Sequence, residues 1–394
     1  MLSVSTSLNQ APAVSDLPLS PPHLAPEVAA AALAPRLLAQ AVHSDFEGGF
    51  PEEEFNWLHE AGLLTAPLHV ALGGADLAEP EQTLPLLNTL KHIGRGNLVM
   101  GRLYEGHVNA LQLLQRLGTK AQVARWAADA QAGRWFGVWN TEAADGVKLE
   151  PLPNGQYRLH GSKTFASGAG YLSRPVLTAA LPDGGWQLLV LPATEKEPKY
   201  DASFWRPLGM RGTASSRVDF TGLEISADDL LGQPGDYYRQ PWFSGGAIRF
   251  AAVQLGGAEA VFDETRRFLQ ALGRTDDPYQ RQRLGEMALL IESGSLWLRG
   301  AATHASRPTA ETDAEATVAY ANMMRTAIED ICLRVLQLAE RCVGARGLLK
   351  PEPFERLHRD LTHYLRQPAP DAAQADAGRF ALDRHAPAFQ LWHA

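Results

Sequence analysis

The chain has 394 residues, with 36 Lys plus Arg against 44 Asp plus Glu and a net charge of −8. With 45% hydrophobic and 20% charged residues, this composition excludes intrinsic disorder and argues against nucleic acid as the main ligand, which needs a basic face. Two cysteines, Cys332 and Cys342, build neither a disulfide framework nor a zinc site and fit a reducing, cytoplasmic compartment.

Residues 1–24 are rich in Ser, Pro and Ala without periodicity and read as a loose tail with no secretory character. No apolar run reaches the length of a membrane span. From 25 to 133 the pattern is helical: PEVAAAALAPRLLAQAV, FNWLHEAGLL, EQTLPLLNTLKHIGRG and VNALQLLQRLG each end at or near a Gly. Residues 134–233 change texture. WFGVWN, GQYRLHG, PVLTAAL, WQLLVLP and RVDFTGLEI read as short strands, and the turns in LPNGQY and LPDGGW read as hairpin connections. From 234 to 394 the helical period returns. Ile248, Ala251, Leu255, Ala258, Phe262, Thr265, Leu269 and Leu272 alternate steps of three and four, as do Ala321, Met324, Ile328, Ile331, Val335, Leu338 and Cys342. Both are seams expected of a helix bundle.

Self-standing catalytic motifs are absent. No GxGxxG or Walker loop supports a nucleotide fold, and no GxSxG elbow appears. His358 and His363 have the wrong spacing for HExxH, so metal is unsupported, and both read as solvated or capping residues.

The order of several segments resembles the acyl-CoA dehydrogenase-like flavoproteins. The carriers are AGLLTAPLHVALGG, GHVNALQLLQRLGTKAQVARWAADAQAG, FGVWNTEAADG, GSKTFASGAG, LGMRGTASSRVDFTGLEIS and RCVGARGLLKPEPFERLHRD. The resemblance implies an α+β fold: an N-terminal helical domain, a middle antiparallel β domain and a C-terminal four-helix bundle. It implies FAD, bonded at the ring edge by Asn140 and Thr141, with Phe165 and Ser167 beside the ring. Alone, Phe165 would read as a core aromatic and Ser167 as a turn serine. The loop Gly344-Ala345-Arg346-Gly347 is similar to the Gly-Gly-x-Gly loop through which a neighbouring subunit approaches the dinucleotide. Arg341 and Arg346 are each either pyrophosphate partners or solvated charges at a helix end.

Three departures from the family pattern stand out. At one position where the family keeps its catalytic Glu, this chain has Arg366-Gln367-Pro368; at the other, Ala247 and Ile248 precede Arg249. The CoA-binding loop is reduced to Ala143-Ala144-Asp145-Gly146, and the Arg-x-x-Phe-Gly motif survives only as Arg274. The catalytic residues are therefore unassigned, with Glu142, Asp145, Asp371 and Glu286 as the acids to test. The expected function is an FAD-dependent oxidoreductase acting by dehydrogenation or monooxygenation on a small molecule other than a standard fatty acyl-CoA. The alternative is a non-catalytic binding or partner subunit. Surplus apolar helix face and a site completed across an interface point to a homodimer or homotetramer.

Overall fold

The structure is a computed structural model that describes residues 24–46, 48–193 and 196–392. The proposed N-terminal tail, apart from Leu24, lies outside the described residues.

Five helices come first: α1 (Pro26–Gln40), α2 (Glu52–Glu60), α3 (Thr83–Gly96), α4 (Leu98–Leu117) and α5 (Lys120–Gln131). The breaks between them are chemically marked. The Asn97 side chain accepts from the Val99 N–H at 3.0 Å and starts α4. Thr119 and Gln122 close a capping box on α5, satisfying two otherwise unpaired donors.

Ten strands follow: β1 (Phe136–Trp139), β2 (Lys148–Pro151), β3 (Tyr157–His160), β4 (Ser162–Ala166), β5 (Arg174–Ala180), β6 (Trp186–Val190), β7 (Lys199–Asp201), β8 (Ser216–Asp219), β9 (Glu224–Ile225) and β10 (Leu230–Leu231). One sheet runs β10-β6-β5-β2-β3-β9, with β1 added beside β5; the other runs β4-β8-β7. Both expected hairpins form, β2 to β3 around Asn154-Gly155 and β5 to β6 around Gly184-Gly185. The sheets are mainly antiparallel, but β5 takes β1 and the end of β2 in parallel. The two sheets enclose their own core of Leu149, Leu159, Leu177, Leu189, Val218 and Phe220.

The C-terminal part contains α6 (Trp242–Gly245), α7 (Ala247–Ala271), α8 (Pro278–Ala305), α9 (Ala314–Gly347), α10 (Pro353–Tyr364), α11 (Pro370–Asp383) and α12 (Ala388–Leu391). The α7 seam is buried at Ile248, Ala251, Leu255, Ala258, Thr265 and Leu269, and the α9 seam is buried along its whole length. The two helical segments of the chain share one core, in which Leu87, Leu90 and Ile93 of α3 meet Val253 and Leu255 of α7. Close backbone approach makes this possible. A Cβ at Gly256 would stand 2.0 Å from the Lys91 carbonyl oxygen, and one at Gly94 would stand 2.5 Å from that of Val253. Ion pairs Lys91–Glu259 (2.9 Å) and Arg95–Asp263 (2.7 Å) flank the crossing.

Helix α10 joins all three parts. The Asp360 carboxylate accepts from the Met210 N–H at 2.6 Å, and Arg359 pairs with Asp45 at 2.6 Å and Glu355 at 2.5 Å. The Arg-Asp pair is thus a clamp that sets α10 against the 208–213 loop.

Candidate functional site

A cavity of about 440 Å³ opens where α4, α10 and the β domain meet. Asn140, Thr141, Phe165 and Ser167 all line it. The sequence-derived group is therefore assembled in space.

Each member is held by a distinct local device. The pairing of β4 with β8 slips between Lys163 and Ala166, and Phe165 takes a left-handed φ of 52°. This bulge turns the Phe165 ring outward, leaving it 53% exposed. Its edge meets Phe204 (centroids 5.3 Å apart) and Trp205 (6.1 Å), both nearly perpendicular. The core-aromatic reading of Phe165 does not hold. Ser167 Oγ lies 2.9 Å from Ser215 Oγ, which lies 2.8 Å from Thr213 Oγ1, so three hydroxyls form one chain on the cavity wall. Asn140 Oδ1 accepts from the Tyr238 and Thr178 hydroxyls, each at 3.0 Å. Behind it, Lys163 is fully buried and donates to Glu142, to Thr178 Oγ1 at 2.8 Å and to the Asn140 carbonyl at 3.4 Å. Burial lowers the Lys163 pKa, with Glu142 partly offsetting it.

Helix α10 supplies His363 and Tyr364 to the same wall. His363 packs edge-on to Trp205, centroids 5.4 Å apart, and burial depresses its pKa. His363 is thus a half-buried cavity-wall residue packed on Trp205 and not a solvated or capping one, whereas His358 does sit near the surface, 2.5 Å from Glu340. The Tyr364 hydroxyl is buried without a partner, and burial raises its pKa.

The structure also brings in residues that motif reading passed over. Arg102, Glu105, Asn109, Gln112 and Arg116 follow steps of three and four along α4, a polar stripe on a helix otherwise buried on most sides. Arg102 donates to Glu105 at 2.6 Å, and Asn109 donates to its other oxygen. Burial alone would lower the Arg102 pKa; Glu105, together with Tyr364 and Tyr237, outweighs it and the net shift is upward. The stripe continues into a second cavity of about 400 Å³, which shares Glu105, Asn109, Val138, Tyr237, Phe250 and Pro368 with the first. A third of about 460 Å³ shares Gln112, Arg116, Trp242, Gly246 and Arg249 with the second. The three lie in a row with shared walls, a chamber of adjoining cavities from the β domain to the crevice between α4, α7 and the end of α8.

The acids proposed as bases lie elsewhere. Glu142 is committed to Lys163, Asp145 to Arg217 at 2.9 Å and Glu286 to Arg334 at 2.6 Å, and Asp371 is exposed at the start of α11. None lines the first or second cavity. Arg341, Gly344 and Gly347 do not line the first cavity either. Arg341 and Gly344 are exposed, Gly344 bends the end of α9 with φ 59°, and Gly347 is packed against Val343.

The donor set suits a flavin ring. An exposed aromatic edge, a hydroxyl chain and one orphaned polar group, Tyr364 OH, are groups that a planar heteroaromatic with carbonyl and imine edges would satisfy. Asn140, Thr141, Phe165 and Ser167 would hold it, and bound flavin would supply redox chemistry.

Comparison with known proteins agrees with this reading. Residues 24–134 match the family model "Acyl-CoA dehydrogenase, N-terminal domain", and residues 248–365 match "Acyl-CoA dehydrogenase, C-terminal domain". The chain is 24% identical over 388 residues to a dibenzothiophene monooxygenase of Mycolicibacterium goodii, covering 88% of this chain and 91% of that protein. It is 25% identical over 394 residues to the probable FMNH2-dependent monooxygenase SfnC of Pseudomonas putida, covering 91% and 95%. The fold superposes on FMN-bound TdsC of Paenibacillus sp. A11-2 with a TM-score of 0.81 and 20% identity, covering 93% of this chain and 99% of that one. No helix among the described residues is long and apolar enough to cross a membrane. The chain belongs to the acyl-CoA dehydrogenase family and is a flavin-dependent oxidoreductase.

Proposed function

We propose that the protein is a flavin monooxygenase that inserts oxygen into a small organic substrate rather than desaturating a fatty acyl-CoA. The observation that carries this reading is the absence of a free carboxylate in the first cavity among the described residues. Among the described residues, Glu105 is the one carboxylate lining the first cavity, and both its oxygens already accept hydrogen bonds. Gln367 and Pro368 occupy the wall where the family keeps its base. A neutral amide cannot remove an α-proton at neutral pH. Oxygenation asks something different of the protein: an oriented substrate and a chamber from which water is excluded.

Bound reduced flavin would supply the electrons and the site of oxygen activation. The surrounding chain does the rest. Asn140 and Thr141 orient one edge, Ser167 and its hydroxyl partners the other, and Phe165 with Trp205 shields the ring from water. His363, kept neutral by burial, holds a proton-accepting nitrogen in the first cavity. The FMN-bound TdsC and the FMNH2-dependent SfnC favour FMN over FAD. Arg341, Gly344 and Gly347 are proposed to act across a homo-oligomer interface, which the outward Leu289 (72% exposed) and Leu296 (55%) of α8 support. The protein is proposed to work in the cytoplasm. Anaerobic titration of the oxidised flavin protein with octanoyl-CoA should leave the flavin absorbance unbleached; rapid bleaching would establish a dehydrogenase instead.

A further inference from the structure

The second cavity has a charge pattern that the redox chemistry does not use. Arg116, Arg249 and Arg325 all line it, and none has a carboxylate within ion-pair distance among the described residues. Arg249 donates to the Asn109 amide oxygen at 2.5 Å. Arg325 donates to the Pro368 carbonyl at 2.9 Å and lies over the Phe250 ring at 5.1 Å. Arg116 lies over Trp242 at 4.0 Å. The other charges on the wall are engaged. Glu105 belongs to Arg102, Asp236 accepts from the Gln233 N–H at 2.8 Å, and Asp376 faces Arg379 at 3.9 Å. Burial lowers the pKa of all three arginines, with Glu105, Glu311 and Glu329 acting on them only at longer range.

Arg249 is also placed against the helix field. It stands in the first turn of the 25-residue α7, where the helix dipole is already positive and no acidic residue is present. Its guanidinium lies over Gly246, where a Cβ would come within 2.5 Å of Nη2. A desolvated cation at a helix N-terminus, with no carboxylate at ion-pair distance, is stabilised by an anion that arrives with the ligand. Around it, Tyr237, Trp242, Phe243 and Phe250 supply flat apolar surface.

We propose that this cavity takes an aromatic substrate bearing an acid group, its anion held by Arg249 with Arg116 and Arg325 and its ring packed among Tyr237, Phe243 and Phe250. This rests on the oxygenase reading only for the claim that the ligand is a substrate. The acid end anchors on the α4–α7 side, so the ring is directed through the shared Tyr237–Phe250 boundary towards the flavin cavity. Guanidinium recognises carboxylate and sulfonate by forked hydrogen bonds. One other source of the same chemistry is the flavin phosphate, and the experiment separates the two.

The test is calorimetric binding to the flavin-loaded protein without turnover, using matched acid and amide pairs: benzoate and benzamide, 2-naphthoate and 2-naphthamide, indole-3-acetate and indole-3-acetamide. At least one acid should bind on the order of tenfold tighter than its amide. Arg249→Gln and, separately, Arg116→Gln should each weaken acid binding while amide binding stays unchanged. FMN and riboflavin affinities should be the same in wild type and both variants. No acid preference in any pair, or no acid bound at millimolar concentration, overturns the proposal. So does a loss of FMN but not riboflavin affinity in the variants, which would assign the arginines to the flavin phosphate. Because no turnover is involved, a failed oxygenation assay leaves this result intact, and the reverse also holds.

Discussion

Replacing Glu142 by Gln should expose how the chain just beyond β1, at Asn140 and Thr141 of the first cavity, is held. Lys163 has no solvent exposure and reaches Glu142, Thr178 and the Asn140 carbonyl. Removing one partner of a buried ion pair costs about 3–5 kcal/mol, because the remaining charge is stranded. Glu142 is 27% exposed on its side chain, and Gln keeps an acceptor, so the expected loss is about 2–3 kcal/mol. The loss should depend on pH. Without Glu142, burial pushes the Lys163 ammonium further below its unfolded pKa, so the unfolded state binds more protons in the window between the two. Stability then rises with pH, and the deficit relative to wild type is largest near neutrality and fades towards pH ~10. Urea unfolding followed by tryptophan fluorescence reads this, since Trp186 lies 5.7 Å from Lys163 Nζ. The double variant Glu142→Gln, Lys163→Met removes the stranded charge and should recover most of the loss. Flavin affinity should fall about tenfold in the single variant as Asn140 and Thr141 lose their backing. A loss under ~0.5 kcal/mol that does not change with pH, or no recovery in the double variant, would refute the reasoning.

His107 is fully buried, with one ring nitrogen 2.8 Å from the Leu64 carbonyl and the other accepting from the Phe136 N–H at 3.2 Å. Burial pushes its pKa down to about 4, so the unfolded state alone binds a proton between the unfolded value and that one. Stability falls by about 3 kcal/mol as pH drops through that window. Asp360, pushed up to about 6 by burial, works in the opposite sense over part of the range, so the check is the difference between wild type and His107→Gln, whose urea midpoint should lose the His107 slope. His363→Ala should reduce oxygenation turnover by ~10²–10⁴-fold with flavin affinity little changed by fluorescence titration. In wild type this group should leave the rate independent of pH above 6.5, because burial holds its pKa below that value.

Much of the architecture is written in local pattern. The alternating steps from Ile248 and from Ala321 become buried seams because a helix repeats its face every three to four residues, and the Asn-Gly and Gly-Gly turns become hairpins through their backbone preferences. The parallel pairing of β1 with β5 is not legible this way, since it joins strands far apart in the chain. Asn140, Thr141, Phe165 and Ser167 are legible only through family register, and the fold brings all four to one cavity. The cavity roles of Glu105 and Arg249 are not legible in the sequence, because they depend on which helices face each other. One local signal was available: the polar stripe Arg102, Glu105, Asn109, Gln112, Arg116 on an otherwise buried helix. Neither spacing nor composition reveals that Trp205 packs against His363.

The central claim is oxygen insertion by reduced flavin in this chamber. The most direct measurement is a single turnover of the FMN-reduced protein with ¹⁸O₂, using a panel of neutral fused-ring aromatics and the aromatic acids above, with products analysed by mass spectrometry. The account predicts an oxygenated product carrying one ¹⁸O atom from at least one substrate. Reoxidation without labelled product from any of them, together with flavin bleaching by an acyl-CoA thioester under anaerobic conditions, would contradict it.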